Sequence, residues 1–303
     1  MTPSVEIRAY GEGTGKLVLP AATHRLGDLD PAEVMDPLPE AGFLLFRGFA
    51  PDLADFTAFV KTYSARIVQD PARSPHCVEI AQKVDAGTAA MGPHLENGNG
   101  PFGPDLIWFL CEKAAARGSQ TTVCDGYRVW DRMGQRAREL FTAQDIVYSR
   151  MVEEAKWKAF AHHQMEDPEG LEDITVADIR DLVSDVLTLD DDGSIAYSYR
   201  TAAAHPTLFG DRLSWANSIF GPSCDSATPR VTFADGTELP AWLKNELRTL
   251  TEEVTEELQW QDGDVALIDN TRVMHGRREI VDTDRTIYKA QSYLGRHLLR
   301  RSV

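Results

Sequence analysis

The sequence predicts an all-β core with flanking helices, a double-sheet jelly roll (double-stranded β-helix) carrying a helical insertion. Three observations predict it. Short apolar runs bounded by turn residues recur along the chain, which is the pattern of buried strands. Amphipathic helical patterns lie beside these runs rather than alternating regularly with them. A polar, helix-prone stretch from about Glu153 to Val186 interrupts the strands.

Taken in order, Gly42 to Phe49 is an apolar run between glycines and reads as a buried strand. Asp52 can cap the helix that follows, where Leu53, Phe56, Phe59 and Val60 recur at helical spacing. Leu106 to Cys111 reads as a strand buried on both faces, and Thr121 to Cys124 as another. Tyr127 to Phe141 reads as one helix. In the insertion, Ile174, Ile179, Leu182 and Val186 keep a helical pattern. Ser194 to Arg200 and Leu208 to Phe220 are strand-like. Ala241 to Leu258 is an amphipathic helix with Trp242, Leu243, Leu247, Leu250 and Val254 on one side. Asp264 to Asp269 and Arg285 to Leu294 are strand signals around a turn-rich stretch from Asn270 to Asp284.

No repeat, low-complexity tract or long linker divides the 303 residues, so a single domain is expected over 1–303. Apolar residues make up 43%, enough for a substantial core. The formal net charge of -16 repels phosphate backbones and argues against nucleic acid. No apolar run reaches the roughly 18 residues of a membrane span, and no signal peptide is evident at the N-terminus. Cys77, Cys111, Cys124 and Cys224 are widely spaced with no CxxC, as in a reduced, cytoplasmic protein. The composition is compatible with a homo-oligomer and does not specify one.

The chemistry starts at His94-Leu95-Glu96. In an extended segment, residues i and i+2 point to one side, so an imidazole and a carboxylate can face one metal ion. A second histidine, His275, follows the apolar Asp264–Asp269 run, and a jelly roll can bring two distant strand ends together. Two histidines and a carboxylate fill one face of an octahedron and leave three positions open, the facial triad of iron(II) oxygenases. The same donors also suit a hydrolytic zinc site. Arg285 lies ten residues after His275 and offers a bidentate fork for a carboxylate. Thr121 offers a hydroxyl from a neighbouring strand. A non-catalytic jelly-roll binding protein leaves all of these without a task.

The order and spacing of these pieces resemble the taurine dioxygenase (TauD/TfdA) superfamily, and more closely its SyrP-like branch of amino-acid hydroxylases in natural-product pathways. Gly42 to Phe49 is similar to the family's early "G-hydrophobic-RGF" strand, and His94-Leu95-Glu96 to the branch's H-x-E. Leu106 to Asp125 is similar to an "I-x-F-x-C…T…D" stretch. His205-Pro206-Thr207 and Trp215-Ala216-Asn217 resemble its middle, and Val231 to Pro240 its "F-x-DG" segment. Gly263 to Arg277 is similar to "GD-x-x-x-x-DN-x-x-x-x-HGR", the most specific piece. The departures are Gly118-Ser119-Gln120-Thr121, Asn97-Gly98-Asn99-Gly100 and Trp215-Ala216-Asn217, all bordering the substrate side.

The resemblance implies that His94, Glu96 and His275 bind Fe(II), that Thr121 and Arg285 hold 2-oxoglutarate, and that O2 is the second co-substrate. It implies hydroxylation of an unactivated C–H bond, with succinate and CO2 as co-products. Desaturation or ring closure stays open. Glu96 argues against a halogenase, in which a small residue replaces the carboxylate. The expected substrate is a small amino-acid-like metabolite or natural-product intermediate, free or bound to a carrier protein. Candidate recognition residues are Asn97, Asn99, Asn217 and Arg277, with Trp157, His163 and Arg200 behind them. The 153–186 insertion is the expected lid.

Overall fold

The computed structural model describes residues 4–68, 77–78, 80–84, 87–164, 170, 173–180, 185–221 and 230–299. Two facing sheets build the jelly roll. The major sheet runs in the order Val5–Ala9, Lys16–Pro20, Phe43–Phe46, Asp264–Asp269, Leu106–Lys113, Thr286–Leu294, Ala81–Lys83, Cys77–Val78, with Ser64–Val68 also pairing to Thr286–Leu294. The minor sheet runs Glu256–Leu258, Thr121–Asp125, Val273–Arg277, Met91–His94, antiparallel throughout.

Strand alternation divides the major sheet into two cores. Leu44, Phe46, Trp108, Leu110, Val265, Leu267 and Ala290 face outward and pack under the Leu53–Tyr63 helix, which Asp52 caps through the Asp55 N–H. Phe43, Leu45, Ile107, Phe109, Cys111, Ala266, Ile268 and Ile287 face inward and meet Val123 and Val273 of the minor sheet. Double-sided burial is why Leu106–Cys111 and Asp264–Asp269 are apolar runs rather than alternating ones. Arg272 joins the start of the His275 strand to the end of the Thr121 strand through a buried fork on Asp125, at 3.0 and 2.7 Å.

Several expectations need correction. Tyr127 to Phe141 is two helices, Gly126–Arg132 and Gln135–Ala143, broken at Met133 and Gly134. The Ala241 helix stops at Val254, and Glu256–Leu258 leaves it to pair with Thr121–Val123, burying Leu258 completely. In Leu208 to Phe220 only Gly210–Ser214 is a strand, in a hairpin with His205–Thr207. The turn-rich stretch after Asn270 contains a strand, Val273–Arg277, because it is paired along both edges. Such pairing is invisible in local sequence.

The insertion expected over 153–186 forms helices Glu154–Gln164 and Val176–Arg180 beside a third sheet, Asp185–Leu189, Ile195–Thr201, Ile146–Val152 and Arg230–Phe233. Trp157, Ala161, Ile174 and Ile179 bury there against Val152, Ile195 and Tyr197. Leu182 and the Asp167 to Glu169 breaker lie outside the described residues. Cys111 and Cys124 are free thiols, each pushed up to about 12 by burial. Cys224 and the side chain of Cys77 are outside the described residues. Among the described residues, no helix is long and apolar enough to cross a membrane.

Candidate active site

His275 lies in the middle of Val273–Arg277, opposite His94 on one side and Val123 on the other. The two imidazole rings stand 4.5 Å apart. Glu96 follows the end of the His94 strand and turns its carboxylate to His275, with Oε2 3.4 Å from Nε2. The ligand atoms of His94, Glu96 and His275 all lie within 4.8 Å of one another. Close approach of the strands needs Gly276, where a Cβ would stand 2.7 Å from the Met91 carbonyl oxygen.

His94 and Glu96 are prepared for a cation. The His94 Nδ1–H donates to the Gly92 carbonyl at 2.9 Å, which leaves Nε2 as the free base. Burial, and then the neighbouring His275, push the His94 imidazole down to about 3. Burial works to raise the Glu96 carboxyl, but Lys289, His275 and His94 outweigh it and hold it well below the usual carboxylate range. Both groups therefore stand deprotonated near neutrality. Asn270 fixes the Glu96 backbone, accepting its N–H at 2.9 Å and donating to its carbonyl at 3.3 Å.

A chain of aromatic contacts runs from His275 to Thr121. Phe109 packs edge-on to His275 with ring centroids 5.6 Å apart, and Trp260 follows at 6.5 Å from Phe109. The Trp260 indole N–H donates to the Thr121 hydroxyl at 3.0 Å, leaving the hydroxyl proton available to a ligand. Arg285 is half-buried near Thr121, and its Nη1 donates to the Ser119 carbonyl at 3.0 Å. Arg285 thus bonds to the segment that leads into Thr121, whose hydroxyl is linked through Trp260 and Phe109 to His275 of the triad.

The substrate candidates are placed differently. Asn97 and Asn99 sit half-buried in the turn after Glu96. Asn97 takes a left-handed φ of 54° and spans the turn to the Phe102 carbonyl at 3.3 Å. Phe160 of the insertion packs on Phe102 at 5.2 Å, so the insertion touches this turn. Asn217 uses its amide on the Ala203 carbonyl and the Ile219 N–H, each 3.1 Å away. Arg277 faces Thr121 across the sheet, is buried, and donates to the carbonyls of Gly87 at 3.1 Å and Ala89 at 2.8 Å. Arg200 is exposed and ion-paired with Asp145. Trp157 is core, with its indole N–H on the Gly193 carbonyl. The His163 side chain is outside the described residues.

Sequence reasoning missed three residues. Asn270 stands in the DN of the Gly263 to Arg277 stretch with no role assigned to it from sequence, and Trp260 carries no local signal. Lys289 carries one: a charged residue inside the apolar strand Thr286–Leu294, at an inward position. Its ammonium, 2% exposed, lies 2.8 Å from Glu96 Oε1.

Two imidazoles and one carboxylate, with His94 and Glu96 held deprotonated, fit Fe(II). The curated relatives include a clavaminate synthase-like protein of Arabidopsis thaliana, 26% identical over 268 residues, covering 80% of this chain and 78% of the relative. The dapdiamide synthesis protein DdaC of Enterobacter agglomerans is 25% identical over 268 residues, covering 80% and 79%. Among solved structures, a taurine dioxygenase from Burkholderia xenovorans superposes with a TM-score of 0.62 at 15% identity, covering 97% of this chain and 90% of the other. PvcB of Pseudomonas aeruginosa gives 0.63 at 12%, covering 98% and 94%. At these identities the structures show the jelly-roll fold. The family profile "Taurine catabolism dioxygenase TauD, TfdA family" matches residues 10–300, nearly the whole chain, which therefore belongs to the TauD/TfdA family.

Proposed function

We propose that this dioxygenase-family chain hydroxylates an unactivated C–H bond of a small amino-acid-like metabolite or natural-product intermediate, using Fe(II), 2-oxoglutarate and O2. His94, Glu96 and His275 would hold the iron, and Thr121 and Arg285 the distal carboxylate of 2-oxoglutarate. The observation that carries the reading is the meeting of three candidate ligand atoms, from two segments distant in the chain, within 4.8 Å of one another. Thr121 and Arg285, a hydroxyl and a cation suited to a distal carboxylate, favour an oxygenase over a hydrolytic zinc site, which has no use for a second anion pocket. When bound, the iron and co-substrate supply the oxidant, with succinate and CO2 as co-products.

The chain's own residues then have defined tasks. The triad presents three donors on one side and leaves the rest of the coordination sphere to small molecules. Arg285 pairs with a carboxylate at a set distance from the metal, and the Thr121 hydroxyl completes that contact. Phe109 and Trp260 wall the intervening space with apolar surface and limit water. The natural-product assignment draws support from DdaC, a dapdiamide synthesis protein. PvcB, described as an Fe, alpha-ketoglutarate dependent oxygenase from an isonitrile synthetic pathway, points the same way. The turn holding Asn97 and Asn99, with Phe160 against it, is the place where a substrate, free or carrier-bound, would contact the protein beside the metal.

The test is anaerobic loading with Fe(II) and 2-oxoglutarate, then exposure to O2 with a panel of free and carrier-bound amino acids. Succinate formation above the substrate-free rate, with a hydroxylated product, is expected for at least one amino-acid-like compound. A hydrolysed product with no succinate would return the zinc reading.

A further inference from the structure

Lys289 is a buried cation beside a cation site, and proteins rarely place one there without use. Its strand, Thr286–Leu294, alternates: Tyr288, Ala290 and Ser292 turn to the outer core, while Ile287 joins the inner one. Lys289 shares the inward face with Ile287 and stands opposite Phe109, whose ring touches His275. Its Nζ meets Glu96 Oε1 at 2.8 Å, while Glu96 Oε2 turns to His275. The two oxygens of the carboxylate are thereby divided: one faces the ammonium, the other the ligand cluster.

We propose that Lys289 is a fixed counter-charge that weakens metal binding and strengthens binding of the dianionic co-substrate. The inference rests on the oxygenase reading above. Arg285 apart, whose charge is the same in every state compared, the buried pair of Glu96 and Lys289 sums to zero. A divalent metal with neutral imidazole ligands raises that sum to +2, and a dianion such as 2-oxoglutarate returns it to zero. Without Lys289 the metal-loaded site stands at +1, and the dianion leaves it at -1. The metal therefore gains and the dianion loses when the ammonium is removed. The ammonium also restrains Oε1, which keeps Glu96 to a single metal bond and a fourth position open for the chelating co-substrate.

The opposite signs separate this role from a structural one, since a damaged site binds both ligands worse. The experiment titrates Mn(II) anaerobically into wild type, Lys289→Met, Lys289→Gln and Lys289→Arg by calorimetry, then 2-oxoglutarate into each Mn(II)-loaded protein. Lys289→Met and Lys289→Gln should bind Mn(II) about tenfold tighter and 2-oxoglutarate about tenfold weaker. Lys289→Arg, which keeps the charge, should stay within about threefold of wild type in both. The metal-free Lys289→Met protein should melt lower than wild type and gain more in Tm from Mn(II), because the metal replaces the lost partner of Glu96. Weaker binding of both ligands in the folded Met and Gln variants, or wild-type values in the Gln variant, would overturn the proposal. Failure of wild type to bind Mn(II) at all would instead refute the metal-site reading on which it rests.

Discussion

The side-chain amide of Asn270 holds the backbone of Glu96 on both sides, accepting its N–H at 2.9 Å and reaching its carbonyl at 3.3 Å. The same Nδ2 group donates to the Pro104 carbonyl at 2.8 Å, so one buried amide ties the ligand turn to the start of the Leu106 strand. Asn270→Ala should lower Mn(II) affinity about 10- to 100-fold, the usual effect of removing a group that orients a ligand. It should also cost about 1–3 kcal/mol of stability, from the buried groups left unpaired. Calorimetric titration and urea unfolding measure the two effects. Unchanged metal affinity would show that the turn holds Glu96 without this clamp.

His94→Ala, His275→Ala and Glu96→Gln should each reduce Mn(II) binding by more than about a hundredfold and abolish turnover, because each removes a direct ligand. Glu96→Gln is the sounder probe at its position. Glu96→Ala would leave the Lys289 ammonium buried without its carboxylate, at a cost of about 3–5 kcal/mol. Full turnover by His275→Ala at wild-type metal loading would refute the ligand assignment.

Arg285→Ala should raise the KM for 2-oxoglutarate far more than that for the prime substrate, by the equivalent of about 2–5 kcal/mol. Arg277→Ala separates the two arginines. Its guanidinium holds the Gly87 and Ala89 carbonyls, so its loss should lower Tm and leave the 2-oxoglutarate KM nearer to wild type. Saturation curves for each variant decide between them. The reverse pattern would make Arg277 the co-substrate residue.

Asp269 supplies a pH test of the fold. Burial pushes its carboxyl up to about 6, against the lowering effect of Thr271 and Arg272. Its folded value is therefore above its unfolded one. The stability it contributes is fully present below about 4 and is lost as pH rises through about 6. Asp269→Asn removes the titration and retains an acceptor for the Thr271 N–H and hydroxyl. The stability of the variant relative to wild type should thus improve by about 2–3 kcal/mol between pH 4 and pH 7. Urea unfolding of the metal-free proteins across that range measures it, and parallel pH profiles would show that Asp269 is not perturbed.

Much of the molecule was legible in the sequence because strand alternation and apolar runs are local properties. Asp264–Asp269 appeared at its observed limits, and Leu106–Lys113 and Thr286–Leu294 within two residues of theirs. The insertion was found from its polarity, but its helices were not seen to pack beside a sheet of their own. The H-x-E spacing and the HGR histidine supplied the three donors, and the structure brings those donors together. The two missed strands share one cause. Val273–Arg277 and Glu256–Leu258 are strands because neighbours pair with them, and neither has a strong pattern of its own.

The sequence by itself determined the chemical inventory and the face on which each group lies, since period-two alternation is set by the backbone alone. It placed His94 and Glu96 in an extended segment, His275 just past an apolar strand, Thr121 within another and Arg285 at the start of a third, positions from which they could converge. Only the tertiary structure decided which groups meet. Asn270 clamps the backbone of Glu96, 174 residues away in the chain, and Lys289 reaches the Glu96 carboxylate from the Thr286–Leu294 strand. Those contacts depend on sheet register and on how two sheets face each other, and a shift of one residue would turn every such side chain to the opposite face.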